Sequence, residues 1–370
     1  MRFMRLKAIT RKEMIQIFRD PLSLLIAFLM PLMQLFIYGY AISFDVNNIT
    51  TVVYDQDKSS MSRELIAEFR ESGYFTVVDY ITTYRDIDTF IDTGMARVAI
   101  LIPRDFSRKV RSEKDVHVGV LIDGSDSNTA TIAEGYIAAI SRAYGQRIRG
   151  VHIKPLIDSR TRVWYNPELK SRNFIIPGLI VVIMAVIIAL LTSLTIAREW
   201  ERGTMEQLIS TPVKVPELII GKLIPYFLIG FTDIVVAILM GIFWFKVLFK
   251  GDFFLLIALS GIFLFGGVSF GVLISIIARG SQSIASQMAL LSTFLPSFLL
   301  SGFIFAITNM PKPLQLLTYI VPARYFVTIS KGIFLKGSSL KLLITEVLIL
   351  TVYGAFVFTL ANRKFRKRIE

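Results

Sequence analysis

Residues 174–197 read FIIPGLIVVIMAVIIALLTSLTIA, and residues 198–212 continue REWERGTMEQLISTP. The first stretch carries no charge and exceeds the roughly 20 residues that cross a hydrocarbon core of about 30 Å at 1.5 Å per residue. It predicts a membrane-spanning helix, and the charged run after it marks where the chain leaves the bilayer. Five further stretches meet the same test, at approximately 22–43, 220–245, 253–278, 283–307 and 341–361. The chain has 370 residues, 54% of them hydrophobic and only 19% charged, with a mean hydropathy of +0.60. That balance excludes a soluble enzyme. Only the block 44–173 has ordinary soluble composition, and with no cysteine anywhere neither a disulfide nor a thiolate metal site can staple it.

Six spans place both termini on one side, and the distribution of Lys and Arg says which. Residues 1–20 hold Arg2, Arg5, Lys7, Arg11, Lys12 and Arg19; the tail holds Arg363, Lys364, Arg366, Lys367 and Arg368. Both ends are therefore expected in the cytoplasm. Block 44–173 carries eighteen basic and eighteen acidic residues, so the formal charge of +13 belongs mainly to the membrane-facing ends, where anionic head groups attract it. No basic stripe interleaved with aromatics occurs in that block, and nucleic acid is not expected as a partner. No small-residue cleavage site follows the first apolar run, which reads as an uncleaved anchor.

Residues 2–19 place Phe3, Leu6, Ile9, Met14, Ile17 and Phe18 largely on one face, predicting an interfacial amphipathic helix in segment 1–20. Asp20-Pro21 breaks it and turns the chain sharply into the first span, 21–43. Beyond Ser43, strands are expected at 49–54, 74–79, 96–102 and 116–122, and helices at 60–72, 84–93, 105–112 and 128–149. The fold class predicted is a mainly α membrane protein of six spans with an α/β extracytoplasmic domain, 44–173, between the first two. Asp123-Gly124-Ser125-Asp126-Ser127-Asn128 has oxygen ligands in alternation, but its Gly offset and lack of a twelfth-position Glu favour a turn and helix cap over calcium. Asn48-Ile49-Thr50 fits a glycosylation sequon of the kind that recurs by chance.

In the run after Ala197, Gly203 weakens the outgoing helix, Thr204 and Gln207 predict a capping box, and Pro212 stops the new helix after about two turns. Met205, Leu208 and Ile209 give it one apolar face, and so short a helix needs something to bury that face against. On composition alone the run reads equally well as a surface turn with solvated charges. It resembles, however, the signature loop of ABC-2-type exporter permeases. The resemblance extends to Arg19-Asp20-Pro21, Asp123-Gly124-Ser125, FIIPG at 174–178, GKLIPY at 221–226, LSGFIF at 300–305 and YIVPARYF at 319–326. Together with the order of elements these cover nearly the whole chain and look like the drug-export branch of that family.

The resemblance implies a half-transporter, paired as a homodimer or heterodimer in a bacterial plasma or inner membrane, each chain engaging a separate ABC ATPase subunit. No GxxxxGK[ST] phosphate loop occurs in the sequence, so ATP and Mg are expected on the partner and no cofactor or metal on this chain. Coupling contacts would fall in the loop 198–217, on Arg198, Glu199, Glu201, Arg202, Gly203, Thr204, Met205, Glu206, Gln207, Leu208, Ile209 and Pro212, assisted by the helix around Arg11 to Arg19. The second and fifth spans would line the two-fold interface and substrate path, with Met184, Ile188, Thr192, Thr195, Ser292, Phe294 and Phe298 as candidates. Met and Phe at helical spacing also serve plain packing. Pro296, Gly302, Pro311, Pro313 and Pro322 interrupt the helix between 290 and 330, which predicts a re-entrant outer segment at 308–330 or an ordinary outer loop.

Asp233 is an acid near the middle of a span, read as a polar partner in the bundle or as an ion relay. Glu346 and Arg324 lie near span ends and are expected to snorkel. Two other function classes remain beside the exporter moving drugs or lipid-like molecules. A gradient-driven transporter would need intramembrane relays such as Asp233, and a receptor or scaffold would act through the outer domain. That domain would also offer a periplasmic adaptor its docking surface in a Gram-negative cell.

Overall fold

The structure, a computed structural model, describes residues 3–42, 48–112, 114–148, 164–167, 170–278 and 280–365. Arg2, Ser43, Arg366, Lys367 and Arg368, all named above, lie outside the described residues, as does the last residue of the helix expected at 128–149. The chain divides into two compact units, one of residues 1–43 with 163–370 and one of residues 44–162.

In the first unit, α1 (Phe3–Arg19) buries Ile9, Glu13 and Ile17, one residue per turn. It stops before Pro21, where α2 (Pro21–Leu24) begins. A π-turn over Leu25–Leu29 joins α2 to α3 (Met30–Ala41). Pro31 sits just beyond that turn and has no N–H to give the regular ladder, a usual setting for such a widening.

The second unit is an α/β layer built in sequence order: β1 (Ile49–Asp55), α4 (Ser60–Glu71), β2 (Phe75–Tyr80), α5 (Tyr84–Asp92), β3 (Val98–Ile102), α6 (Phe106–Arg111), β4 (Gly119–Ile122) and α7 (Ser127–Ile148). The sheet order is β2-β1-β3-β4, with β1 parallel to β2 and β3, and β4 antiparallel on the edge. Val53, Ile100 and Ile102 join Leu65, Ile66, Phe69 and Tyr144 in one core, while Val52 and Ala99 face Ile81 and Ile87 in another. Both faces of β1 and β3 are thus covered, which is why those strands read as continuous apolar runs. The expected elements are all present; the second, third and fourth strands begin one to three residues later than their apolar runs did.

Among the described residues, the rest of the first unit supplies four helices long and apolar enough to cross a membrane. They are α8 (Ser171–Glu201), α10 (Val215–Leu239) extended by a π-turn to Trp244, α11 (Phe253–Ile277) and α15 (Leu340–Lys364). Between α8 and α10 lies the short α9 (Thr204–Ser210), and after α11 comes α12 (Gln282–Leu299). The fifth apolar run, expected to 307, therefore ends as helix at Leu299. Pro296 withholds one ladder bond near its end, and Gly302 at φ +77° takes a backbone that other residues rarely adopt. A 3-10 turn (Ile307–Asn309), α13 (Lys312–Thr318), α14 (Pro322–Lys331) and a π-turn (Gly332–Lys336) follow.

The apolar core of this unit centres on α8. Its most apolar eighteen residues are 89% buried inside the chain, against 22% for the same part of α15. Gly271 allows the close approach of α11, because a Cβ there would lie 1.8 Å from Thr192 Oγ1 and 2.7 Å from the Ala189 carbonyl.

Candidate functional site

The run 198–217 is held by a cluster of charges from α1, α8 and α10, of which the sequence reading names Glu199 as a coupling contact without foreseeing the pairing. Glu13 falls one turn after Ile9 and one turn before Ile17, so α1 drives a carboxylate into the surface it buries against α10. Lys222, in the second turn of α10, meets it: the ammonium donates to Glu13 Oε1, to Glu199 Oε1 at 3.1 Å and to the Thr195 carbonyl at 3.4 Å. Lys222, Glu13 and Glu199 are only 1%, 2% and 2% exposed. Lys12 completes the set from the rim, donating to Glu199 Oε1 at 2.6 Å. Two lysines against two carboxylates leave the cluster neutral, the condition under which buried ions are tolerable.

Around this cluster the loop is tied to three other helices. Arg198 donates to Asp20 at 3.2 Å, and Arg5 donates to the Pro212 carbonyl while lying 4.0 Å from Glu217, so α1 grips both ends of the loop. Glu201 accepts the N–H of Gln282 at 2.9 Å, placing a carboxylate on the amino end of α12, where the helix dipole favours it. A displacement of this loop is therefore carried to α1, α10 and α12 together.

Two expectations about α9 change. Gly203, not Thr204, caps the helix: it sits at φ +70°, and the Thr204 hydroxyl donates to the Glu199 carboxylate and, at 3.3 Å, to the Glu199 carbonyl. The capping box fails because Thr204 is already the first residue inside the helix, and the cap position before it is a glycine with no side chain to accept. The apolar face of α9 is covered by this chain itself, with Met205 fully buried and Leu208 and Ile209 packed on the same core. What α9 leaves outward is Glu206, Gln207 and Ser210, flanked by Glu201, Arg202, Gly203 and Pro212.

The candidate path residues separate into two groups. Met184, Ile188, Thr192 and Thr195 are buried within the chain, and both threonine hydroxyls bond to carbonyls of their own helix. Ser292 and Phe294 are exposed on α12, and Phe298 is half-buried and stacked on Phe294 at 5.4 Å. Asp233 is buried in α10 and forms no ion pair among the described residues.

At 300–336 the irregular backbone is held differently. Lys331 donates to the carbonyls of Gly302 at 3.0 Å and Phe303 at 3.2 Å, with Phe174's ring centroid 3.3 Å away. Ser330 donates to the Pro177 carbonyl at 3.0 Å. Arg324 lies 3.9 Å from the Tyr319 ring and donates to the Thr318 hydroxyl, tying the YIVPARYF stretch across its helical corner.

In the α/β unit the Asp123 carboxylate accepts the Ser125 N–H at 2.9 Å, which holds its pKa below the usual value, and Asp126 accepts from Thr129. These are a turn and a helix cap, and among the described residues no group of three or more His, Cys, Asp or Glu could hold a metal.

The profile of the ABC-2 family transporter protein family matches residues 22–362. Over 372 residues the chain is 38% identical to the "Probable multidrug ABC transporter permease YbhS" of Escherichia coli (strain K12), covering 99% of this chain and 98% of the relative. It is 33% identical over 371 residues to "Probable multidrug ABC transporter permease YbhR" of the same strain, covering 99% and 100%. "Inner membrane transport permease YhhJ", also of that strain, is 28% identical over 337 residues, 88% of this chain and 87% of the relative. A profile match over nearly the whole length, with full-length relatives above 30% identity, shows that the chain belongs to the ABC-2 transporter family.

Proposed function

We propose that this chain is the transmembrane subunit of an ATP-driven exporter of drugs or lipid-like amphipathic compounds, with ATP and Mg bound by a separate ABC ATPase subunit. It pairs with an identical or related permease in the inner membrane. Six segments cross the bilayer: the four long apolar helices, the α2–α3 segment and α12. Both termini and the loop 198–217 face the cytoplasm, and the α/β unit and the 300–336 region lie on the other side. ATP-driven closure of the motor moves the two loops together, and the transmembrane halves exchange between inward- and outward-facing arrangements.

The observation that carries this reading is the wiring of the loop. Its polar side faces outward from the chain, while Glu199 and Glu201 tie it to α1, α10 and α12. A plain surface turn has no use for a carboxylate buried as deeply as that of Glu199. Glu206→Arg combined with Gln207→Trp alters only exposed side chains. It should leave membrane insertion intact and abolish substrate-stimulated ATP hydrolysis by the partner; undiminished stimulation overturns the assignment. Orientation is checked separately with Ser125→Cys, which an impermeant thiol reagent should label from outside intact cells; labelling only after lysis reverses the topology.

Ion coupling is the second reading, favoured by the buried Asp233. Asp233→Asn should then change the pH profile of transport, and an unchanged profile retires it.

A further inference from the structure

Beside the buried cluster, the carboxyl ends of α1 and α8 enclose a cavity of about 550 Å³. Lys12, Arg19, Arg198 and Arg202 line it with a single carboxylate, Asp20, and Ile15 supplies an apolar wall. Its size falls within the range of ordinary small-ligand pockets. Its lining mixes polar and apolar surface, and Ile15 on its wall is 42% exposed, with Phe18, one turn further along α1, 62% exposed.

The charges do not cancel. Lys12 is engaged by Glu199 at 2.6 Å and Arg198 by Asp20 at 3.2 Å. Arg19 and Arg202 are exposed and form no ion pair among the described residues. Two helix carboxyl ends contribute about half a negative charge each, which offsets roughly one of these two cations. About one positive charge remains, matching the single negative charge of a phosphodiester. The neighbouring exposed Ile15 and Phe18 offer apolar contact to whatever carries that phosphate.

We propose that this cavity binds the headgroup of an anionic glycerophospholipid, with Arg19 and Arg202 on the phosphate and the acyl chains along Ile15 and Phe18. The proposal rests on the membrane reading above, because it takes α1 to lie at the bilayer surface. A lipid seated there bridges α1 to the end of α8, the two elements that grip the coupling loop, so the anionic content of the leaflet would tune how firmly the loop is held.

The test is native mass spectrometry of the full chain in mild detergent, supplied with equimolar phosphatidylglycerol and phosphatidylcholine. Wild type should retain phosphatidylglycerol preferentially, and Arg19→Gln with Arg202→Gln should reduce that preference by roughly fivefold for each charge removed. Arg19→Lys, which keeps the charge, should retain most of it. Equal retention of the two lipids by wild type, or an unchanged preference in the double variant, overturns the site. Inorganic phosphate is the comparison probe: tight, Arg19-dependent phosphate binding without lipid preference would assign the cavity to a soluble anion and overturn the lipid reading. Retention in detergent does not depend on sidedness, so its failure refutes this site alone, whereas reversed labelling of Ser125→Cys refutes the orientation.

Discussion

The end of the helical unit that carries residues 198–217 and the end that carries residues 300–336 both hold irregular backbone, and they hold it in opposite ways. At the first, two buried carboxylates meet one buried lysine and one at the rim, side chain to side chain, in a neutral set. At the second, Lys331 rests on two carbonyls and a ring. An ion pair buried to this degree cannot separate without stranding a charge, so its members move together. A cation on carbonyls can exchange one carbonyl for another at little cost. The comparison teaches that the 198–217 end is built to move as one body, while the 300–336 end is held by contacts that can be exchanged singly.

The largest effect expected from this contrast is that of Lys222→Met, which leaves Glu13 and Glu199 facing each other with only Lys12 nearby. Thermal unfolding of the detergent-purified chain should show a loss of about 3–5 kcal/mol; a variant as stable as wild type would break the contrast at its stronger pole. Lys331→Met removes charge-assisted bonds from two carbonyls, and the expected cost is about 1.5–3 kcal/mol. Hydrogen exchange should locate that loss in residues 300–306, and a loss spread through α8 would mean that this end is as rigid as the other. Ser330→Ala deletes one neutral bond to Pro177 and should cost about 1 kcal/mol, read by the same exchange experiment. Arg5→Gln touches a partly exposed pair at 4.0 Å from Glu217 and should cost under about 1 kcal/mol, so a larger shift on unfolding would extend the rigid cluster to the loop's far end.

Much of the fold was legible because burial in this chain is periodic. Uninterrupted apolar runs predicted α8, α10, α11 and α15, and alternating short runs predicted every strand of the α/β unit. Asp20-Pro21 and Pro212 punctuate the chain where they were expected to. The end of α12 was missed because residues 300–306 are as apolar as a span, and composition does not record that Gly302 takes a positive φ. The motif at 198–212 drew attention to the loop in the sequence, but its anchoring was not visible there. Lys12 and Glu13 lie far in sequence from Glu199 and Lys222, and their pairing depends on the packing of α1 on α10. One local signal pointed to it: Glu13 interrupts the apolar stripe between Ile9 and Ile17, a position that demands a buried cation. The apolar face of α9 likewise pointed to a partner, and the partner for burial proved to be the chain's own bundle.

The central claim is that the loop 198–217 is the place where an ATPase subunit grips this chain. Purification of the chain in mild detergent from its native membrane, with identification of any ATPase that accompanies it, tests that most directly, comparing wild type with Glu206→Arg and Gln207→Trp combined. The account predicts that the ATPase accompanies wild type and is lost from the variant, while the yield of folded permease is unchanged. An ATPase that stays with the variant at wild-type stoichiometry, or a wild-type chain that purifies with no nucleotide-hydrolysing subunit, would contradict it.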